Sequence, residues 1–103
     1  MKKGILLHEA SDDVGVAAID IKAGEEIQAV TLEGNPVVIV KVVEDILLGH
    51  KVAMRNISDG KHILEYGREI GCAITDISLG QHVHVHNIKS LRWSDSKSKV
   101  LVE

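Results

Sequence analysis

A single small, mostly-β domain is predicted for this chain of 103 residues. Three observations predict it. Apolar residues make up 45% of the sequence and aromatic residues only 2%, so the core must be built from Val, Ile, Leu and Ala. β-branched side chains sit better on a pleated surface than on a helix. No stretch carries a clean apolar stripe of helical period, and a short turn signature, Asp/Asn-Ile-x-x-Gly, recurs along the chain. The length suits one domain with one modest core, hiding roughly two-thirds of the unfolded surface. The domain is expected over residues 1–92, with a polar tail at 93–103 that could end in an edge strand at Val100, Leu101 and Val102.

Taken in order, strands are expected at 4–8, 14–19 and 26–31. Gly34-Asn35-Pro36 marks a turn. The run at 37–43 is apolar except for Lys41 and reads as the most buried strand. Further strands are expected at 52–55, 62–64, 70–75 and 82–87.

The recurrent signature occupies 20–27, 45–52, 56–63 and 76–83. Each copy reads as strand end, tight turn and strand start. The leading Asp or Asn is expected to accept amides two or three residues on and close its own turn. The Ile behind it plugs the core. The Gly in fifth place can take a positive φ as the chain exits. Uneven spacing between copies makes this a recurring turn device and not a solenoid repeat.

The formal charge of −3 is ordinary, and there is neither a basic stripe nor the aromatic supply that base stacking requires. Nucleic acid is therefore not an expected partner. No apolar run approaches the ~20 residues of a membrane span, and Ile5-Leu6-Leu7 is too short for a signal-peptide core, so a cytoplasmic location is expected. Cys72 has no second cysteine to pair with and reads as a small buried hydrophobe.

Chemistry concentrates in the six histidines. In His82-Val83-His84-Val85-His86 a strand's period of two sets the three imidazoles on one face and the two valines on the other. Val83 and Val85 are then expected to pack inward. The imidazoles are either a solvated polar face or a ligand and acid–base set. A metal would need help from another segment, and His8 and His50 are the candidate helpers. Asp12 and Asp13 either cap a turn or stand near a metal or substrate. Arg55 either clamps a substrate carboxylate bidentately or forms a structural ion pair. His62 reads as a surface residue. Tyr66 and Trp93 read as interface anchors.

Four stretches together resemble a known family. They are His-Glu-Ala-Ser-Asp-Asp-Val-Gly-Val-Ala-Ala at 8–18, Glu-Asp-Ile-Leu-Leu-Gly-His-Lys-Val-Ala at 44–53, Tyr-Gly-Arg-Glu-Ile-Gly-Cys-Ala at 66–73, and Asp-Ile-Ser-Leu-Gly-Gln-His-Val-His-Val-His-Asn at 76–87. They resemble the N-terminal SAF-type domain of altronate and galactarate dehydratases, and the small subunit of sulfolactate sulfo-lyase. Gly-His-Lys combined with His-Val-His-Val-His-Asn is the specific part.

The resemblance implies a β-clip fold and lyase chemistry on sugar acids or related hydroxy acids. It implies a separate large catalytic subunit, since the larger region that follows this domain in such enzymes is not in the sequence. It also implies a divalent metal, Fe2+ or Mn2+, held either by this chain or only in the assembled enzyme. His8, Asp12, His50, Lys51, His84, His86 and Asn87 match the family's polar positions. The resulting assignment puts His84, His86 and Lys51 in catalysis, Arg55 and Asn87 on substrate, and His8, His50 and Asp12 on metal. Self-association is a further expectation. The competing classes are a non-catalytic SAF-type binding module and a metal-storage or metal-sensing protein.

Overall fold

The computed structural model describes residues 2–90, and these contain strands and no helix. The strands are β1 (Lys3–Leu7), β2 (Val14–Ala17), β3 (Glu26–Thr31), β4 (Pro36–Lys41), β5 (Lys51–Ala53), β6 (His62–Glu65), β7 (Arg68–Ala73), β8 (His82–Val83) and β9 (Ile88–Ser90). Six of them form one sheet in the order β4-β3-β1-β2-β5-β8, and β6-β7-β9 form a second. The mostly-β expectation holds. The tail expected at 93–103, with Trp93 and the strand at 100–102, lies outside the described residues.

Two apolar cores hold the sheets. One gathers Ile5, Leu7, Ile21, Ile27, Val40, Ile46 and Val52. The other gathers Val14, Ala53, Ile57, Ile63, Ala73, Ile77 and Val83. β5 lies between them. Its period of two sends Val52 into the first core and Ala53 into the second, and both are fully buried.

The four turn copies pair reciprocally. Ile21 and Ile46 exchange both backbone hydrogen bonds at 2.8 Å, and Ile57 and Ile77 do the same at 2.7 and 2.8 Å. All four isoleucines are 1% exposed. The leading Asp or Asn does not cap its own turn as expected. Asp20 Oδ1 accepts the Leu48 amide and Asp45 Oδ1 accepts the Ala23 amide, at 2.8 and 2.9 Å. Asn56 Oδ1 accepts the Leu79 amide and Asp76 Oδ1 accepts the Asp59 amide, at 2.9 and 2.8 Å.

The reason is geometric. Each turn already closes itself through backbone, the third residue's carbonyl accepting the sixth residue's amide, as in His50 N–H to Leu47 O and Gln81 N–H to Ser78 O. The facing copy offers the amide that still lacks a partner, and the carboxylate reaches across to it. The fifth-place glycines take φ near +90° and donate to the strand end that precedes the partner turn, Gly49 to Ala17 O and Gly80 to Ala53 O among them.

The run at 37–43 is not the most buried strand. β4 pairs only with β3 and forms the sheet edge, leaving Val38, Ile39 and Val43 about half exposed while Val40 and Val42 are buried. Continuous apolar sequence does not distinguish a central strand from an edge one. The edge is blunted by Pro36, which has no N–H, and by a register shift opposite Ala29 and Val30. Beyond the strand's end, Gly80 O accepts the Val43 amide. Cys72 is partly exposed and not buried.

The two clasps yield direct stability tests. Ile77→Ala is expected to cost ~2–5 kcal/mol, because a fully buried side chain leaves a cavity. Gly60→Ala and Gly80→Ala both force Ala to positive φ, which costs ~1–2 kcal/mol. Only the Cβ at 80 would strike the Lys41 carbonyl, since nothing stands within 4 Å of one at 60. Urea denaturation should therefore rank Gly80→Ala as clearly the worse, and equal midpoints would show that the β4 contact carries no weight.

Candidate functional site

The second and fourth turn copies bring the histidines together. His50 directly follows Gly49, and His82 follows Gln81. β5 and β8 pair antiparallel with Lys51 opposite Val83 and Val52 opposite His82. Carried one residue on, that register sets His50 across from His84.

After Val83 the chain does not continue as a strand. The expected strand at 82–87 is β8 followed by a turn, in which His84 O accepts the amides of Asn87 and Ile88 at 3.0 and 3.1 Å. Asn87 builds this turn. Its Oδ1 accepts the His84 amide at 2.9 Å, its Nδ2 donates to His82 O at 2.8 Å, and the residue is 1% exposed. Because the chain turns, Val83 packs inward as expected but Val85 stands at the tip, 77% exposed.

The imidazoles cluster nevertheless. His50 Nδ1 and His82 Nε2 lie 2.9 Å apart, close enough for one proton to be shared between them. Ring centroids are 5.1 Å apart for His50 and His84, 5.6 Å for His82 and His84, and 5.3 Å for His82 and His86. Burial, then the neighbouring His50 and His86, hold the His82 pKa below the usual histidine value, and Glu44 pulls the other way. The Glu44 carboxylate also accepts the His82 amide at 3.2 Å.

The cluster opens onto a cleft of about 410 Å³ lined by His50, Lys51, Glu65, Ile70, Val83, His84, Val85 and Ile88. That volume lies within the usual ligand range of roughly 300–1,000 Å³. Lys51 Nζ is 3.7 Å from Glu65 Oε1 and remains about a third exposed. The cleft thus presents imidazoles, one ammonium and one carboxylate over an apolar lining.

The other sequence-predicted residues form a separate constellation. Asp12 and Asp13 are 1% and 2% exposed. Asp12 accepts the amides of Tyr66 and Glu9 at 2.9 and 3.2 Å. Asp13 accepts Lys61 Nζ at 2.9 Å and the Leu64 amide at 2.8 Å. Arg55 donates to Asp12 O at 2.9 Å and lies 3.5 Å from Asp13 Oδ1. These contacts latch the segment before β2 onto the β6–β7 hairpin. His8 stacks on Tyr66 with ring centroids 3.7 Å apart, and its buried Nδ1 has no protein partner. His62 pairs with Glu69 at 3.2 Å on the surface.

The structure therefore brings His50, Lys51 and His84 to one cleft and His82 beside them, while His8, Asp12 and Arg55 stand with the latch. Glu65 and Glu44 were not singled out from sequence. Glu44 opens the 44–53 stretch without a role of its own there and Glu65 lies outside the four stretches, so only pairing between distant strands brings them to the site.

The donor set fits a divalent cation. Nitrogens of His50, His82 and His84 all lie within 4.8 Å of one another, and neutral imidazole is the commonest ligand for such ions.

These features define a small two-sheet β domain that presents a histidine cleft. Residues 2–91 match the altronate/galactarate dehydratase SAF domain family, and the chain belongs to that family. It is 32% identical over 94 residues to the (2R)-sulfolactate sulfo-lyase subunit alpha of Chromohalobacter salexigens, covering 90% of this chain and 100% of that one. It is 41% identical over 90 residues to the altronate dehydratase of Bacillus subtilis and 38% over 85 residues to that of Escherichia coli. It spans the whole of the alpha subunit but only 17% and 15% of those dehydratases. No helix of the described residues is long and apolar enough to cross a membrane.

Two expectations follow. The unfolded chain takes up a proton at His82 near pH ~6.5, and the folded chain resists it. Unfolding thus gains protons as pH falls, so stability from this group is complete above ~6.5 and is lost progressively below. In metal-free protein, the melting temperature should drop less between pH 7.5 and 5.5 in His82→Gln than in the native chain; equal slopes would discount His82. Val85→Ala should change stability by less than ~0.5 kcal/mol, as for other exposed sites, and calorimetry showing more would mean that Val85 is packed.

Proposed function

We propose that this chain is the small subunit, or the N-terminal domain, of a cytoplasmic hydroxy-acid lyase, and that the enzyme removes water from a sugar acid of the altronate or galactarate type. The observation that carries this reading is the cleft shared by His50, Lys51 and His84. Family membership and the altronate dehydratase relatives support it. A large catalytic subunit or region completes the enzyme, because the domain amounts to a small fraction of those relatives.

Loss of water from a hydroxy acid requires a hold on the carboxylate, a base at the adjacent carbon and help for the departing hydroxyl. Lys51 supplies the hold. Its ammonium is loosely paired with Glu65 and lies at the cleft, so a substrate carboxylate can take over the contact. The imidazole free to move a proton is His86, close to His82 and exposed. Asn87 keeps the histidine turn in shape through both ends of its amide. A divalent metal, Fe2+ or Mn2+, fits the imidazoles of His50, His82 and His84 and when bound supplies Lewis acidity toward the hydroxyl. Arg55, already engaged with Asp12 and Asp13, supports the hairpin that carries Glu65.

A second reading is the alpha-type subunit of a sulfolactate lyase. It is favoured by the complete coverage of that relative. Turnover of altronate, galactarate and sulfolactate by the assembled enzyme decides between the two.

The isolated chain is expected to show little or no turnover on any of the three acids with ferrous or manganous ion, and robust activity alone would refute the subunit reading. In the enzyme reconstituted with its large chain, His84→Ala and His86→Ala should lose ~10²- to 10⁴-fold in rate while His62→Ala keeps it. Full turnover in both histidine-turn variants, each with an unchanged melting temperature, would show that turn to be only a polar surface.

A further inference from the structure

We infer that Glu65 sets specificity in the cleft: its carboxylate accepts a substrate hydroxyl and turns away a second acidic group, so that the site takes a hydroxy acid with one anionic end. This role rests on the lyase reading and narrows its substrate to a monocarboxylic polyol.

Two buried aspartates grip the backbone on either side of Glu65. Asp13 Oδ2 accepts the Leu64 amide at 2.8 Å, and Asp12 Oδ1 accepts the Tyr66 amide at 2.9 Å. Both aspartates are almost inaccessible, and hydrogen bonds shielded from water in this way are strengthened. Glu65 faces Arg68 in the β6–β7 register. The turn between them, Tyr66-Gly67, has both residues at positive φ, which fixes the hairpin tip. The Glu65 side chain lies outside this latch. It lines the cleft, is 14% exposed, and stands 3.7 Å from Lys51 Nζ. That separation is beyond hydrogen-bond reach, and among the described residues the Glu65 carboxylate makes no hydrogen bond. A carboxylate held on so firm a backbone, with its acceptor capacity unused, is preorganised for a ligand.

The charges in the cleft then sort acids. Lys51 has three donors, so it can take a substrate carboxylate and still face Glu65. An ionised carboxylate only accepts. Glu65 can therefore bind a hydroxyl, which donates, but not a second carboxylate or a sulfonate, which does not. A second anionic end is also repelled. Lys51 is the one ammonium among the lining residues, and Ile70, Val83, Val85 and Ile88 are apolar. In a cleft of about 410 Å³ a second acidic group stays within ~10 Å of Glu65, about one Debye length, and apolar walls strengthen the repulsion. Altronate carries one carboxylate and a row of hydroxyls. Galactarate carries two carboxylates, and sulfolactate a carboxylate and a sulfonate. All three share a carboxylate with a neighbouring hydroxyl, so whatever holds that end does not change the order. The cleft favours altronate.

The test uses the enzyme assembled with its large chain. kcat/KM is measured for altronate, galactarate and sulfolactate in the native enzyme and in Glu65→Gln, Glu65→Asp and Glu69→Gln. The native enzyme should prefer altronate. Glu65→Gln removes the charge but keeps an acceptor oxygen. It should lower the altronate-to-galactarate ratio about tenfold or more, as expected for losing a like charge ~8 Å away at an effective dielectric of ~20, chiefly through a lower KM for galactarate. Glu65→Asp keeps the charge and should keep the preference. Glu69, exposed on the same hairpin and paired with His62, is the control, and Glu69→Gln should leave the ratio unchanged. In the native enzyme the ratio should also fall as salt is raised, because screening relieves the repulsion. Melting temperatures confirm that each variant is folded. The inference is overturned if the native enzyme prefers galactarate or sulfolactate, if Glu65→Gln leaves the ratio where it was, if Glu69→Gln moves it as far, or if salt leaves the native ratio unchanged. Turnover of none of the three acids would instead sink the lyase reading and this role with it.

Discussion

The exchange of backbone hydrogen bonds between paired isoleucines, Ile21 with Ile46 and Ile57 with Ile77, is the contact on which the rest of the domain depends. Each pair buries two large side chains and crosses two carboxylate or amide caps over the top. The glycine that ends each turn then donates to the strand end leading into the partner turn. The amides at the second, fourth, fifth and sixth places of each turn are thereby all answered, so few backbone donors are stranded at so sharp a reversal. A net hydrogen bond contributes ~1 kcal/mol, so each clasp's strength lies in the sum of such bonds with isoleucine burial. His50 and His82 sit immediately past two of these turns, one in each clasp. Their separation is set by turn geometry and by the β5–β8 register, not by the histidine spacing itself.

A second constraint joins the two sheets. Asp12 and Asp13 are buried carboxylates, a costly choice unless each charge is fully hydrogen-bonded. Between them they bind the amides of Glu9, Leu64 and Tyr66, with Lys61 and Arg55 supplying positive charge on Asp13. The outcome is mechanical. The latch holds the β6–β7 hairpin against the first sheet, and Glu65 on that hairpin reaches Lys51. Charge is thus divided between two tasks, tight pairing in the latch and loose pairing in the cleft. Lys51 keeps the looser of these pairings and faces the cleft.

The cleft is open, and the histidine turn that forms one wall carries Val85 at an exposed tip. A site of this kind has donors in place but little enclosure. The altronate dehydratases among its relatives continue well beyond this domain.

The sequence by itself determined the β class, the four turns with their buried isoleucines and positive-φ glycines, and the grouping of chemistry around Gly-His-Lys and the histidine triplet. These are local matters. β-branched runs, a glycine at a left-handed position and a motif of adjacent residues are all set within a few residues of chain. Tertiary structure decided what depends on distant neighbours. Apolar residues at 37–43 do not reveal whether a strand lies at the edge or the centre. A leading Asp does not reveal that its amide partner lies in another turn. Period-two spacing from His82 to His86 does not reveal that Asn87 bends the chain after Val83 and sends Val85 outward. The histidines still converge because β8 pairs with β5 and draws His50 alongside, and that pairing joins residues more than thirty positions apart.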